Sequence, residues 1–403
     1  MNWQNFQLKE ITQRITKGTT PTSIGHSFQN EGVNYIKAES FNDSGRFINE
    51  KFAFITHECN SALKRSILNE NDILFTIAGV LGRCTIVNKE ILPANTNQAV
   101  AIIRLDRTKK ILPEYVRYWL SQDIVRKKVN KEKIQSAQPN INLKQLGDLE
   151  IKVPCIDIQK QLILIIKTYD DLIENNLKRI NLLEQAAQNI YKEWFVNMRF
   201  PGYEIAEFDS ATGLPMGWEL ISAFDLFEIK GGTQPPKSQW AEEQKDGYTR
   251  MIQIRDYYTD SHIAYVKDTV KLRKCSATDI MIARYGASVG RICWGLEGAY
   301  NVALVKVIPK NEEYTEYIRW YLKSYLFQES LLAMTQRTAQ DGFNKDTFKS
   351  ISAVNPGKKI VNRFESLTLP MLHLMKSLNL QNQKLKAARD ILLPRLMNQT
   401  IEV

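Results

Sequence analysis

Two Glu-x-Lys triplets, EIK at 150–152 and EIK at 228–230, come nearest in type and spacing to a catalytic set. On a strand, period two puts Glu and Lys on one face. There a carboxylate and an ammonium could serve a metal-dependent nuclease. Asp148 stands too close in sequence to be the usual second acid. Alternating charges on the solvated face of a strand give the same pattern. A methyltransferase would need a loop of Asn or Asp, two prolines and an aromatic residue. The double proline of TQPPK (233–237) has Gln before it and Lys after. No Gly-x-x-x-x-Gly-Lys-Ser/Thr run offers a phosphate cradle. Cys59, Cys84, Cys155, Cys275 and Cys293 are scattered, as are His26, His57, His262 and His373, so structural zinc is not expected. The expectation is no catalytic residue and no metal ligand, with Trp119, Trp194, Trp218 and Trp320 as packing residues.

Charge points to a polyanion. The chain carries +10; residues 1–200 hold 28 Lys/Arg against 21 Asp/Glu, and residues 201–403 hold 26 against 23. Both halves are basic, as a nucleic-acid partner in each would require. The N-terminus, MNWQNFQLKE, is too polar for a signal peptide. The longest aliphatic run, LILII at 162–166, is too short to span a membrane. A cytoplasmic protein with reduced thiols and no membrane partner is expected.

The elements that must position any DNA contact occur twice. DILFTIAGVLGR (72–83) answers DIMIARYGASVGR (279–291), 207 positions on. In the same order, KGTTP (17–21) answers GGTQP (231–235), and NQAVAIIRL (97–105) answers NVALVKVI (301–308). YVRYWL (115–120) answers YIRWYL (317–322), and QPNINLKQL (138–146) answers QDGFNKDTF (340–348). This is tandem duplication of a domain of about 150 residues. GVNYIKAESF, DILFTIAG and QAVAIIRL read as strands. Residues 113–129 read as a helix opened by proline, copied at 315–332. Each half is therefore an α+β unit, mostly strands with a helix or two.

The duplication sorts the DNA-contact candidates. Gly-Thr-x-Pro loops offer amides and a hydroxyl, so Thr19 and Thr233, beside Lys17 and Lys237, are phosphate candidates; plain turn chemistry explains the loops equally well. Arg83 and Arg291 recur, and a shared Arg cannot explain different specificities, so they are assigned to backbone contact or structure. Base reading belongs where the halves differ. In the first half the candidates are Lys37, Glu39, Gln138, Asn140 and Asn142. In the second they are Arg255, Asp256, Tyr257, Arg284, Tyr285, Arg337, Gln340 and Asn344.

Between and after the units runs a heptad seam. Leu162, Ile166, Tyr169, Ile173, Asn176, Ile180, Leu183, Ala187, Ile190 and Trp194 alternate steps of four and three. Such a helix is about 50 Å long. Phe364, Thr368, Met371, Met375, Leu378, Asn382, Leu385, Arg389, Leu392 and Leu396 repeat the spacing, although Thr368 and Arg389 weaken the seam and Pro370 should kink or restart the helix. With 162 facing 396 in antiparallel register, every seam residue meets another and Asn176 falls opposite Asn382. Residues 200–220, rich in Gly and Pro, read as a linker.

This order of parts resembles the specificity subunit of Type I restriction-modification enzymes. The resemblance covers the whole chain and rests on the twin motif, GGTQP, IYKEWFVNMRFPGYE, LPMGW and ARDILLPRLM. It implies two target-recognition domains, at 1–150 and 216–355, each reading half of a bipartite asymmetric site in double-stranded DNA. It also implies helical spacer regions at 151–199 and 356–403, a linker at 200–215, and two long antiparallel coiled-coil helices relating the domains by a pseudo-two-fold. The spacers would dock two methyltransferase subunits, and endonuclease/translocase subunits would complete the enzyme. S-adenosylmethionine, ATP and Mg would sit on those partners, none on this chain. The other readings from the residues are a single-chain nuclease, which would cleave DNA with metal alone, and a coiled-coil adaptor, which would bind no DNA.

A two-headed reader makes the helices a ruler. Deleting one heptad from 162–194 and its match from 364–396 is expected to shorten the unread gap or abolish modification. Seven residues turn the heads little but draw them about 10 Å closer. Mapping methylated adenines in cells carrying the shortened chain checks this, and an unchanged gap with full activity rejects the ruler.

Overall fold

The computed structural model describes residues 3–131, 141–258, 262–335 and 342–401. The chain forms two compact units, one of Met1–Glu174 with Gln383–Val403, the other of Asn175–Asn382.

In the first unit an antiparallel sheet has the order Thr12–Lys17, Val100–Leu105, Ile73–Thr76, Cys84–Ile86. Its two inner strands are apolar on both faces and almost wholly buried, so they read as runs rather than alternations. A second sheet sets Val33–Ile36 antiparallel to Ala53–Ile55 and parallel to Ala94–Thr96. A ribbon pairs Gln4–Gln7 with Glu150–Val153. The boundary expected at 150 therefore falls inside a strand, because the unit closes by pairing its first strand with its last. Each of the three stretches read as strands contains one, although GVNYIKAESF turns after Ile36 into a 3-10 helix at Ala38–Ser40.

The second unit repeats this plan. Its main sheet has the order Phe227–Gly231, Leu304–Pro309, Ile280–Ala283, Ile292–Cys293. A five-stranded sheet contains the matching parallel pair, Tyr248–Ile252 beside Gly298–Tyr300. Glu219–Ser222 pairs with Ser352–Asn355. The segment read as one helix at 113–129 is two, Pro113–Leu120 and Asp123–Lys131. Ser121 ends the first by donating its hydroxyl to the Arg117 carbonyl at 2.8 Å. The copy is likewise split into Thr315–Lys323 and Tyr325–Thr335 at Ser324, whose hydroxyl accepts from Phe327 N at 3.4 Å.

The central helix, Ile156–Tyr191, has 36 residues and a length of about 54 Å; a single π turn, Lys192–Val196, follows it. The C-terminal helix is Lys358–Met397. In the first unit Leu162 and Ile166 share a core with Leu393, Leu396 and Met397 and with the sheet residues Ile73, Phe75 and Ile103. In the second, Ala187, Tyr191, Trp194 and Phe195 join Val361, Phe364, Leu372 and Met375 against Ile280 and Val305. Both cores fit the antiparallel register expected from sequence. Ile173, Asn176, Met375, Leu378 and Asn382 are buried, and Ile180, Leu183, Ile190, Met371, Leu385 and Leu392 are half-buried. Asn176 Nδ2 donates to Asn382 Oδ1 at 3.0 Å within the second unit.

All three weak points of the second seam have physical answers. Buried Thr368 donates its hydroxyl to the Phe364 carbonyl at 3.0 Å. Arg389 reaches Asp170 of the central helix at 2.7 Å, and the same carboxylate accepts from the Tyr118 hydroxyl at 2.9 Å. The helix runs unbroken through Pro370. Pro370 and Ser366 are both exposed, so the Ser366 carbonyl deprived of its partner faces water, while buried Phe364, Thr368 and Leu372 hold the opposite side. The linker is folded as well: Phe200 lies 4.9 Å from Trp218, ring to ring, and Asp209 accepts from Ala211 N at 2.8 Å. Trp119, Trp194 and Trp320 are buried in the cores and Trp218 is half-buried against one. No helix among the described residues is long and apolar enough to cross a membrane.

The Asn pair should behave as a register device. Asn176→Leu leaves Asn382 buried without its donor, and Asn382 Nδ2 already lacks a partner. A loss of about 1–3 kcal/mol is expected, most of it recovered in the Asn176→Leu/Asn382→Leu double variant, as read by a double-mutant cycle of urea unfolding.

Candidate nucleic-acid interface

The twin motif is first a scaffold. Asp72, 1% exposed, takes a two-pronged grip from Arg104, with Nε–Oδ1 and Nη2–Oδ2 both 2.7 Å, and accepts from Asn69 N at 2.8 Å. Asp279 repeats this with Lys306 at 2.6 Å and Ser276 N at 2.7 Å. A buried carboxylate needs such partners. Arg104 and Lys306 lie two positions apart in the aligned strands, and period two returns them to one face. Sequence comparison missed both, although each half carries a cation in an otherwise apolar strand.

The Gly-Thr-x-Pro loops are turns against the sheet. A Cβ on Gly18 would lie 1.7 Å from the Thr96 carbonyl oxygen, and one on Gly232 2.1 Å from that of Asn301. The Thr19 hydroxyl accepts from Arg65 at 3.2 Å and its carbonyl from the Tyr35 hydroxyl at 2.8 Å. The Thr233 hydroxyl accepts from Arg273 N at 3.1 Å. Both threonines are thus engaged within the protein, which favours turn chemistry, while Lys17 and Lys237 are exposed.

In the first unit Lys37 is half-buried, its ammonium 4.7 Å from the centre of the Phe28 ring, and Glu39 beside it is exposed. Arg83 curls under the same turn, with Nε 2.9 Å from Asp43 Oδ1 and Nη1 3.4 Å from the carbonyls of Ala38 and Phe41. Its charge is therefore spent within the unit.

The second unit differs at the matching turn, Ile254–Tyr257. Arg255 is exposed, but Asp256 is only 4% exposed. Asp256 Oδ2 accepts from Gln253 N at 3.0 Å and lies 3.9 Å from Arg250, and burial pushes its carboxyl above the usual range. A base edge cannot reach it, so the expectation of a reading role is corrected to that of a turn cap. Tyr257 packs against the small core of Ile252, Met281 and Tyr300. Burial raises its hydroxyl, which keeps its proton and finds no partner among the described residues. Arg284 donates to the Phe343 carbonyl at 3.0 Å and lies over the exposed ring of Tyr285.

Asn142 and Asn344 are helix N-caps. Asn142 Oδ1 accepts from Gln145 N at 2.8 Å, and Asn344 Oδ1 from Asp346 N at 2.9 Å and Thr347 N at 3.1 Å. Capping already engages their side-chain oxygens, a correction that Asn-x-x-Gln (142–145) could have signalled. Gln138, Asn140, Arg337 and Gln340 lie outside the described residues. Glu150 and Lys152 are exposed while Ile151 and Val153 are buried, Asp148 pairs with Lys9 at 2.6 Å, and Glu228 and Lys230 repeat the exposed alternation. Both triplets are therefore solvated strand faces.

The match to known proteins follows this duplicated plan. The family model for the Type I restriction modification DNA specificity domain matches twice, over residues 1–185 and 215–382. The chain belongs to the family of Type I restriction-modification specificity subunits. It is 22% identical to the MjaIX specificity subunit of Methanocaldococcus jannaschii over 98% of this chain and 93% of that one. It is 22% identical to the HindI specificity subunit of Haemophilus influenzae over 99% and 100%. Against the EcoBI specificity subunit of Escherichia coli identity is 31%, over 39% of this chain and 34% of that one. The crystal structure of the Type I S subunit from M. genitalium shares the fold, with TM-score 0.54 and 15% identity over 98% of this chain and 96% of that one.

Exposed Lys17 separates charge from architecture. Lys17→Ala should weaken binding to all duplexes alike and flatten the dependence of log affinity on log salt by about one. Arg83→Ala should chiefly lower the melting temperature, because it frees Asp43 and the turn above. Salt-titrated binding of the assembled complex, with thermal melts, checks the pair; a changed base preference in Lys17→Ala would make Lys17 a reader instead.

Proposed function

We propose that this chain is the DNA-sequence-recognition subunit of a Type I restriction-modification system. Each unit reads one half of a bipartite, asymmetric site in double-stranded DNA. The observation that carries this reading is one fold plan present twice, with a shared scaffold and divergent turns. Asp72 with Arg104 and Asp279 with Lys306 hold the same strands, whereas the turns after Ile36 and Ile252 carry Lys37 and Glu39 in one copy and Arg255 in the other. Two identical copies would read a palindrome. Diverged copies keep the two-headed plan and read two different half-sites.

On this reading the chain performs no chemistry itself. Two methyltransferase subunits dock on the paired helices and modify adenine, and endonuclease/translocase subunits complete the restriction enzyme. S-adenosylmethionine, ATP and Mg belong to those partners. The chain's part is to bring backbone-positioning cations and base-reading side chains to two places on one duplex.

Replacing residues 216–355 with those of a relative should change one half-site and leave the other unchanged. Mapping methylated adenines in cells that carry the chimera and its methyltransferase decides this. A swap that altered both half-sites together would rule out independent readers.

A further inference from the structure

The twin motif closes on the same residue in both units, but its two arginines are in different electrostatic states. Arg83 is neutralised by Asp43. Arg291 has no carboxylate partner among the described residues; its guanidinium lies flat over the ring of Tyr258, 3.4 Å from the centroid. Tyr258 is 63% exposed, so the stack sits at the surface. Arg291 Nη1 is covered by protein and has no hydrogen-bond partner. Arg126, Arg250 and Arg319 also bury unpartnered nitrogens; what sets Arg291 apart is its stack on an exposed ring with no carboxylate beside it among the described residues.

A second observation leads to the same place. Arg291 and Tyr258 line a cleft of the second unit, and so does Tyr257, whose hydroxyl is the other orphaned donor there. Lys323 in the same wall is paired with Glu184 at 3.1 Å, so the uncompensated charge of the cleft is that of Arg291. A guanidinium fixed by stacking keeps its in-plane N–H groups in a rigid fork. With Nη1 covered, the edge left to a ligand is that of Nε and Nη2, which suits paired acceptors, either two phosphate oxygens or the O6/N7 edge of guanine.

We propose that this cleft is a DNA-contact subsite of the second unit alone, in which Arg291, held by Tyr258, donates to paired acceptors of the duplex. The first unit has no equivalent, because Arg83 is tied down. The inference rests on the DNA-recognition reading above and assigns to one copy a contact that the shared motif would have assigned to both.

The test uses the full chain assembled with its methyltransferase, the duplex carrying its mapped site, and a scrambled duplex of equal length. Arg291→Ala and Arg291→Lys are compared with wild type for affinity across a salt series and for the methylated sequence, with thermal melts recorded alongside. Arg291→Ala should bind the site at least tenfold more weakly while its melting temperature stays near wild type. If the acceptors are phosphate, the salt slope falls by about one, both duplexes lose alike, and Arg291→Lys restores binding. If they are a guanine edge, one position of the second half-site relaxes, the slope holds, and Arg291→Lys does not restore discrimination. Wild-type affinity, slope and methylated sequence in Arg291→Ala overturn the proposal, as does an affinity loss matched by a melting loss that Tyr258→Leu reproduces in full. A wild-type assembly that binds neither duplex would instead overturn the DNA-recognition reading itself.

Discussion

The antiparallel register of the two long helices is the constraint on which the rest depends. The core of each unit is closed by residues from both helices. In the first, Leu162 and Ile166 meet Leu393 and Leu396 over the sheet. In the second, Tyr191, Trp194 and Phe195 meet Phe364 and Val361. The first core is not complete from one continuous stretch of chain, because that unit takes its last residues from Gln383–Val403. A slip of one heptad would move apolar side chains out of both cores and break the Asn176–Asn382 bond. Apolar burial supplies the driving force. The polar pairs, Asn176 with Asn382 and Asp170 with Arg389, penalise the alternatives.

On that base the units repeat a sheet whose inner strands are buried on both faces and pinned by one charged pair each. The pair differs in chemistry, Arg in one copy and Lys in the other, and in strand position by two residues. It survives because period two preserves the face. Duplication with drift has this physical form: geometry that carries the core is kept, while residues above it change. The turns after Val33–Ile36 and Tyr248–Ile252 show the drift. One buries Ser40, whose hydroxyl donates to the Lys51 carbonyl; the other buries Asp256.

Charge placement carries the functional argument further than total charge does. The net +10 is spread over both units, and much of it is compensated locally, as at Arg83, Arg104, Lys306 and Lys323. Among the DNA-contact candidates, Lys17, Lys237 and Arg255 stay at the surface, and Arg291 lies on its tyrosine. A DNA-reading protein needs that economy, since cations spent on the fold cannot displace counterions from phosphate.

The amino-acid sequence by itself determined the duplication, the strand cores, the heptad register and the family. Each is a periodic or repeated pattern of side-chain type, and periodicity survives without knowledge of long-range contacts. The Asn176–Asn382 pairing was legible because a heptad seam converts sequence position into geometry. Only the tertiary structure decided which polar residues are spent. Asp256, Asn142 and Asn344 look like base readers in a sequence, and Thr19 and Thr233 like phosphate contacts; in the fold they cap turns and helices or hold a loop. The single helix expected at 113–129 broke at Ser121, and Pro370 left its helix unbroken, because local propensity yields to the burial of neighbouring faces. The difference between Arg83 and Arg291 was invisible in the twin motif, since it depends on what the fold brings beside each guanidinium: Asp43 in one unit, Tyr258 in the other.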